Sequence, residues 1–387
     1  MKGLLRSLRT RKVLVVAALA LVIALVLVTA LTHQGRVAVK TALLLPQLFP
    51  NAPVHPQEWF APQPLREEVS YSVDGGQRVA DLYRPRSGGK HGAVLLFMGI
   101  VAEGRDDPRV VGLSNGLARA GVVVMVVPGS ETTIACRIDP EEPESLVAAF
   151  QYLRSQEFVD PRRVGMGGFC VGASVTMVAA ADPRISDEVA FINSFGGYYD
   201  GRDLVKSIAS QTRFYGKRQE PWKSDPFSRE VLINQLIDSL ARLEERVLLR
   251  RVFVEGQQAA PGEIEALSPQ GRAAYHFLDG PTLAEADALI ARLPLAFQES
   301  LRAVSPSEVI EHLQARVLLM HDREDTWVPS EESRRLADAL EGRGDIYYTE
   351  FSFFQHVDPT HRVSLPTFVR EVTKLFLHMY NILLLVA

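Results

Sequence analysis

The sequence has few cysteines and no excess of charge of one sign. Only two of its 387 residues are cysteine, Cys136 and Cys170, which excludes a scaffold held together by disulfides. Acidic and basic side chains nearly balance, with a formal net charge of −4, so the chain lacks the basic stripe that nucleic-acid-binding proteins carry. Hydrophobic residues make up 47% of the chain, enough for one large catalytic domain with an insertion or for two modest domains.

A long apolar run near the N-terminus predicts a membrane anchor. Residues 13–32 carry no charged side chain and, as a helix of about 30 Å, are long enough to cross the hydrocarbon core of a bilayer. Basic residues crowd the preceding segment, 1–12, which places that end in the cytoplasm and the rest of the chain outside it. The alternative is a cleaved signal peptide, with Val28-Thr29-Ala30 as its best cleavage signal. We therefore expect the lipid bilayer to be a partner through residues 13–32.

The rest of the chain divides into three predicted regions. Residues 33–64 are rich in proline and predict a stiff, partly extended linker. Residues 65–195 and 308–387 alternate strand and helix patterns, with the continuous apolar runs that are typical of buried parallel strands. Residues 196–307 contain mainly helical patterns and predict an inserted cap. The expected fold class is α/β, with a mostly parallel sheet and helices on both of its faces.

One short motif indicates the chemistry. Gly168-Phe169-Cys170-Val171-Gly172 lies between a predicted strand and a predicted helix. A tight strand-to-helix turn favours glycine on both sides of a nucleophile, here Gly168 and Gly172, because a Cβ there would meet neighbouring backbone. The turn presents Cys170 above the sheet and directs the N-terminus of the next helix towards it. The backbone N–H of Val171 is then placed to stabilise an oxyanion, and Cys170 is the predicted nucleophile.

An acid and a histidine follow the motif in the order that a catalytic triad of this architecture needs. Asp325 follows the strand pattern that ends at Met320, and His356 follows the one that ends near Phe351. Both side chains are therefore expected in the loops beside Cys170. The acid would orient the imidazole, and the imidazole would take the thiol proton and later activate water.

Each of these roles has a competitor in the sequence. The competitors are Ser174 for Cys170, Asp322 and Glu324 for Asp325, and His361 for His356. Cys136 is either an inert loop thiol or, in an oxidising compartment, a disulfide partner of Cys170. The remaining histidines show no paired spacing of metal ligands, so we expect no metal site.

These residues resemble the dienelactone hydrolase branch of the α/β-hydrolase superfamily, in which cysteine replaces serine at the turn called the nucleophile elbow. The resemblance covers roughly residues 65–385, interrupted by the cap, and rests on Gly-Phe-Cys-Val-Gly, on the run His-Asp-Arg-Glu-Asp-Thr-Trp-Val-Pro and on a late histidine. It implies an α/β-hydrolase fold and hydrolysis of esters or lactones by a triad of Cys170, Asp325 and His356. It also implies that the backbone N–H of Ile100 is a second oxyanion donor and that the enzyme uses neither a metal nor an organic cofactor.

The sequence as a whole predicts a membrane-anchored hydrolase whose catalytic domain lies outside the cytoplasm. Its expected substrate is a small-molecule ester, lactone or thioester, cleaved through an acyl-cysteine intermediate. Two alternatives remain open. The same intermediate could transfer its acyl group to a lipid or protein at the membrane, or the fold could serve binding alone, since fold does not by itself establish function.

Overall fold

The computed structural model describes residue 24 and residues 27–29, 31–49, 52–100, 104–357 and 363–387. Segment 1–12 and most of the predicted anchor, 13–32, lie outside these residues. Within the part of the chain that is described, no helix combines the length and the apolar character that a membrane span needs.

An eight-stranded sheet forms the centre of the fold, and a separate two-stranded hairpin lies outside it. The strands are β1 Leu65–Val73, β2 Gly76–Arg84, β3 His91–Phe97, β4 Val123–Val127, β5 Val159–Phe169, β6 Phe191–Phe195, β7 Thr212–Tyr215, β8 Arg218–Pro221, β9 Arg316–Asp322 and β10 Ile346–Phe351. Their order in the large sheet is β1-β2-β4-β3-β5-β6-β9-β10. β2 is antiparallel to both of its neighbours, and the other neighbouring pairs are parallel. The predicted, mostly parallel sheet is confirmed.

Helices cover both faces of this sheet. They are α1 His33–Leu44, α2 Gln57–Phe60, α3 Pro108–Arg119, α4 Glu131–Ile134, α5 Glu142–Arg154, α6 Val171–Ala180, α7 Gly201–Ser210, α8 Pro226–Asp238, α9 Leu243–Phe253, α10 Pro261–Glu265, α11 Pro269–Leu278, α12 Leu283–Ile290, α13 Leu295–Ala303, α14 Glu331–Ala339 and α15 Leu365–Val386. Successive strand residues point to opposite faces, so Leu95 enters one core with α5 and α6, whereas Leu96 enters a second core with α3 and α15. The nucleophile turn and the histidine loop lie at the same edge of the sheet, where the parallel strands end.

The predicted extended linker, residues 33–64, is wrong in its first part. His33–Leu44 forms α1, with Thr32 as its N-cap, and buries Val37 and Leu44 against the core that contains α15. This stretch has no proline before Pro46, so nothing in it interrupts helical hydrogen bonds. The chain then forms a short 3-10 turn over Leu45–Leu48, and residues 49 and 52–56 have irregular structure.

Residues 196–307 lie between β6 and β9 in the chain and hold the seven helices α7 to α13. They also hold the hairpin of β7 and β8, which the helical patterns did not predict. Each of its strands is only four residues long, too short to give a period of two. The turn between them relies on Gly216 with a φ of +56°.

Candidate active site

The elbow is a turn of one residue between β5 and α6. Cys170 alone separates the strand from the helix. Its backbone has a φ of 54° and a ψ of −134°, a combination that L-residues rarely adopt. The turn needs glycine on both sides. A Cβ at Gly168 would lie 2.4 Å from the carbonyl oxygen of Gly172, and a Cβ at Gly172 would lie 2.6 Å from the amide nitrogen of Gly99. The packing of β5 against α6 therefore holds Cys170 in this conformation.

His356 and Asp325 meet beside this turn. Nδ1 of His356 donates to Oδ2 of Asp325 over 2.7 Å, and the two side chains are buried. The other carboxylate oxygen, Oδ1, accepts the backbone N–H groups of Trp327 at 2.7 Å and Val328 at 3.1 Å. The loop that carries Asp325 thus fixes the carboxylate and leaves one oxygen for the imidazole.

The charges of the three side chains depend on one another. Burial lowers the pKa of His356, but the charges of Asp325 and Cys170, together with hydrogen bonds to both, raise that pKa to about 10. Burial raises the pKa of Asp325, but the charge of His356 and hydrogen bonds from His321 and His356 outweigh it and lower the pKa. These shifts favour an imidazolium bonded to the carboxylate of Asp325.

The competing residues have other partners. Asp322 is buried and accepts the backbone N–H groups of Glu324 at 2.9 Å and Phe354 at 2.8 Å, so it joins the loops that follow β9 and β10. Burial raises the pKa of Asp322 to about 6. The side chain of Glu324 points largely into solvent. The hydroxyl of Ser174 is occupied by the backbone of Tyr198, accepting its N–H and donating to its carbonyl, each at 2.8 Å.

Two further alternatives concern Cys136 and His361. Cys136 and Cys170 are both free thiols in this structure, so the disulfide considered from the sequence is not formed. Burial and the charge of Glu230 raise the pKa of Cys136. His361 lies outside the described residues.

The two predicted oxyanion donors border the nucleophile. Val171 is the first residue of α6, where backbone N–H groups have no acceptor within the helix. Ile100 follows Gly99, whose φ is +69° and which packs so closely that a Cβ on it would lie 2.8 Å from the amide nitrogen of Gly172. Ile100, Val171 and Cys170 line one cavity. The structure therefore brings both residues to the wall of the cavity that Cys170 lines.

Three features of the site were not predicted from the sequence. The indole of Trp327 stacks on the imidazole of His356, and His321 places Nε2 3.4 Å from Oδ2 of Asp325. Gly196 follows β6 with a φ of +67°, and a Cβ there would lie 3.2 Å from Cε1 of His356. The contact between His321 and Asp325 had a signal in the sequence, because the two residues lie four positions apart at the end of a predicted strand.

The helical region 196–307, which we call the cap, is hydrogen-bonded to the loop that carries Asp325. Nε1 of Trp222 donates to the carbonyl of Asp325 at 2.8 Å, and the hydroxyl of Ser228, at the start of α8, donates to the carbonyl of Trp327 at 3.1 Å. Segment 222–228 therefore helps to hold the same loop that positions the carboxylate. A change in the position of the cap would be transmitted to Asp325 through these two bonds.

Two cavities meet at Cys170. We call the first the cap cavity; it measures about 40 Å³ and is lined by Cys170, Leu204, Phe227, Val231 and Phe297 among other residues. We call the second the sheet cavity; it measures about 1170 Å³ and reaches from Cys170 and His356 into the space between the sheet and helices α3 and α15. Among the described residues, no three His, Cys, Asp or Glu side chains are grouped as metal ligands.

Comparisons with known proteins show the fold. No protein-family model matches the sequence, and a search of curated proteins gives no relative. A puromycin-hydrolysing peptidase from Mycobacterium tuberculosis is similar in structure, with a TM-score of 0.51 and 18% identity over 86% of this chain and 41% of that chain. An acylaminoacyl peptidase matches with a TM-score of 0.49 and 14% identity over 82% of this chain and 41% of that chain. The 2,6-dihydroxy-pseudo-oxynicotine hydrolase matches with a TM-score of 0.49 and 15% identity over 83% of this chain and 68% of that chain.

The strand order, the elbow between β5 and α6 and the similarity to the mycobacterial peptidase together define an α/β-hydrolase fold. The chain spans about two fifths of the length of the two peptidases.

Proposed function

We propose that this protein is a hydrolase that cleaves an ester, lactone or thioester bond through an acyl-cysteine intermediate on Cys170. One observation carries the proposal. Cys170 occupies a strained turn between β5 and α6, and it interacts with an imidazole whose other nitrogen is bonded to the buried carboxylate of Asp325. Strained backbone held by its surroundings is common at catalytic positions, and this chain supplies a base and an orienting acid beside it.

In the first half of the proposed reaction, the Cys170 thiolate attacks the carbonyl carbon of the substrate. The carbonyl oxygen becomes an oxyanion, and the backbone N–H groups of Val171 and Ile100 are the donors proposed to stabilise it. As the tetrahedral intermediate collapses, the bond to the leaving oxygen or sulfur breaks, and the imidazolium of His356 gives that atom its proton. The acyl group is then a thioester on Cys170, and His356 is neutral.

In the second half, water replaces the leaving group. Neutral His356 takes a proton from water, and the resulting hydroxide attacks the thioester carbonyl. The new tetrahedral intermediate expels the Cys170 thiolate and releases a carboxylic acid, which leaves the imidazolium in its starting state. Asp325 keeps its negative charge throughout and stabilises the imidazolium whenever it forms.

The cysteine nucleophile supports placing the protein near the dienelactone hydrolases within the α/β-hydrolase superfamily. We also propose that residues 13–32 anchor it in a membrane, with segment 1–12 in the cytoplasm and the catalytic domain outside. Alkaline carbonate extraction of membranes should leave the full chain in the pellet and release a variant that lacks residues 1–32. Release of both proteins would contradict the anchor.

Ester hydrolysis by the full chain and two cysteine variants tests the catalytic proposal. Each protein is given p-nitrophenyl acetate, and p-nitrophenolate release is followed. Cys170→Ala should lower kcat/KM by about 10³-fold or more, because the covalent route is lost. Cys136→Ala is the matched control and should retain the wild-type rate. Equal rates for wild type and Cys170→Ala would overturn the proposal.

A further inference from the structure

The sheet cavity is large for a small ester. Its volume of about 1170 Å³ exceeds the roughly 300–1,000 Å³ of pockets that bury a drug-sized ligand. Cys170 and His356 lie in its wall, so a substrate bound at the nucleophile has direct access to this space. The cavity therefore bears on which substrate the site accepts.

The centre of the sheet forms one wall of this space. Gly165 and Gly167 alternate with Met166 on β5, so both lie on the face of the sheet that looks towards α3 and α15. The ring of Phe191 covers Gly165, where a Cβ would lie 2.1 Å from it, whereas Gly167 lines the cavity. The other walls are largely aliphatic and aromatic, including Leu96, Phe195, Leu113, Leu375, Met379 and Ile382, and they also contain the charged residues Asp107, Arg109 and Asp225.

The side chain of Asn193, which lines the cavity, is hydrogen-bonded to a buried histidine. Oδ1 of Asn193 accepts from Nε2 of His378 at 2.9 Å, and Nδ1 of His378 is bonded to the hydroxyl of Thr349 at 2.8 Å. Burial lowers the pKa of His378 to about 3, so the ring is neutral at physiological pH. Asn193 and its neighbours on β6, Phe191 and Phe195, therefore present no charge to the cavity.

The cavity also reaches the segment that follows α1. Gln47, Leu48 and His55 from this segment are half-buried in the cavity wall. Exposed apolar side chains lie on the same segment and at the start of α15: Val54, Trp59, Phe60, Leu365, Phe368 and Val369. Phe49 joins the two elements, with its ring centroid 6.3 Å from that of Phe368. We call these exposed side chains the apolar rim.

We propose that the sheet cavity holds the hydrocarbon chain of a lipid ester, which enters from a membrane surface across the apolar rim and places its carbonyl carbon at Cys170. The inference rests on the proposed hydrolase function and names its substrate class. A large and mainly apolar wall favours an aliphatic chain, because burial of each methylene group adds to binding. Exposed tryptophan and phenylalanine, here Trp59 and Phe60, are suited to the interface between lipid headgroups and acyl chains.

A chain-length series tests the cavity. The full chain in detergent micelles is given p-nitrophenyl acetate, butyrate, octanoate and palmitate. We expect kcat/KM to rise by about 10-fold or more from acetate to octanoate, since each buried methylene favours binding. Leu375→Trp and Leu113→Trp fill the cavity away from Cys170 and should lower kcat/KM for octanoate by about 10-fold while changing it less than about 2-fold for acetate. Val247→Trp, on the exposed face of α9, adds the same side chain elsewhere and should behave as wild type.

The outcomes separate the two proposals. If acetate is cleaved and cleavage depends on Cys170, but chain length and the filling variants have no effect, the acyl-chain cavity is refuted and the hydrolase stands. If acetate cleavage does not depend on Cys170, the hydrolase proposal itself fails. Thermal unfolding of each variant shows whether it is folded. If one of the two filling variants has lost its fold, the other one tests the cavity.

A second measurement tests entry from the membrane. A p-nitrophenyl palmitate substrate is embedded in vesicles of phosphatidylcholine and phosphatidylglycerol. The variant Trp59→Ser/Phe60→Ser should cleave it at least about 5-fold more slowly than wild type, because the rim no longer enters the interface. The same variant should cleave soluble acetate at the wild-type rate, and Leu243→Ser, which removes an equally exposed side chain from α9, should affect neither substrate. Equal rates on vesicles for wild type and the rim variant would overturn entry by this path.

Discussion

The imidazole of His356 lies flat against the indole of Trp327, with ring centroids 4.9 Å apart and ring planes 6° from parallel. Trp327 is itself fixed from both sides, since its backbone N–H is bonded to Asp325 and its carbonyl to Ser228. One loop therefore sets both the carboxylate that binds the imidazole edge and the aromatic surface that supports its face. The stack makes Trp327 a positioning residue for the proposed base.

Replacement of Trp327 should weaken catalysis through His356. We expect Trp327→Ala to lower kcat/KM by about 2- to 12-fold, corresponding to the ~0.5–1.5 kcal/mol of an aromatic pair. It should also lower the pKa of His356, because the indole face stabilises the imidazolium. Trp327→Phe retains an aromatic surface and should stay close to wild type in both. An unchanged histidine pKa in Trp327→Ala, measured by NMR titration, would reduce the role of Trp327 to packing.

Removal of the acid's charge should change the titration of His356. The carboxylate of Asp325 favours the protonated ring, so Asp325→Asn should lower the pKa of His356 from about 10, and the ring should lose its proton at lower pH than in wild type. At pH 8 the wild-type ring should be protonated. The same change should reduce kcat by about 10⁴-fold, as replacement of the aspartate by asparagine does in a serine triad. NMR titration of the His356 ring measures the shift in pKa. Glu324 is an exposed residue of the same loop, so Glu324→Gln is the control and should leave the pKa of His356 unchanged.

The proposed oxyanion donor at Val171 can be removed with little change to the helix. Proline is tolerated at the first position of a helix, where its missing N–H has no partner in the helix, so Val171→Pro should fold. Loss of the donor should lower kcat by about 10²–10³-fold. Val171→Ala keeps the N–H and should retain activity. Wild-type turnover in a folded Val171→Pro enzyme, with folding checked by circular dichroism, would exclude this N–H from the oxyanion site.

Gly196 provides a test of packing around the imidazole. Gly196→Ala places a Cβ 3.2 Å from Cε1 of His356 and strains a backbone with a φ of +67°. Gly216→Ala is the matched control, because its φ is +56° but no atom lies within 4 Å of the added Cβ. Each variant should lower the free energy of unfolding by about 1 kcal/mol, as left-handed backbone costs for alanine. Only Gly196→Ala should also lower kcat/KM, and equal activity of the two variants in ester hydrolysis would contradict the close packing.

The sheet and the elbow were predictable because both leave local signals in the sequence. Continuous apolar runs such as the one in β3 identify buried parallel strands, and glycines two residues before and after Cys170 identify the turn. The positions of Asp325 and His356 followed from the strand ends. The structure places them within hydrogen-bonding distance of each other, as expected if both loops emerge from one edge of the sheet.

The features that were missed depend on contacts between distant parts of the chain. The face that Trp327 presents to His356 is set by the loop and the cap together, and no pattern near residue 327 indicates it. The helix α1 was missed because its buried side is defined by α15, more than three hundred residues later in the chain. The sheet cavity depends on which face of β5 looks towards α3 and α15, and this requires the register of the sheet.

Acylation of Cys170 during turnover can be tested by measuring the mass of the trapped intermediate. Wild type, Cys170→Ala and Cys136→Ala are mixed with p-nitrophenyl octanoate, quenched in acid within milliseconds to seconds, and analysed as intact proteins and as peptides. We expect one octanoyl group on wild type and on Cys136→Ala, located on Cys170 and released by neutral hydroxylamine, and none on Cys170→Ala. An octanoyl group of the same abundance on Cys170→Ala, or on a residue other than Cys170 in wild type, would contradict this expectation.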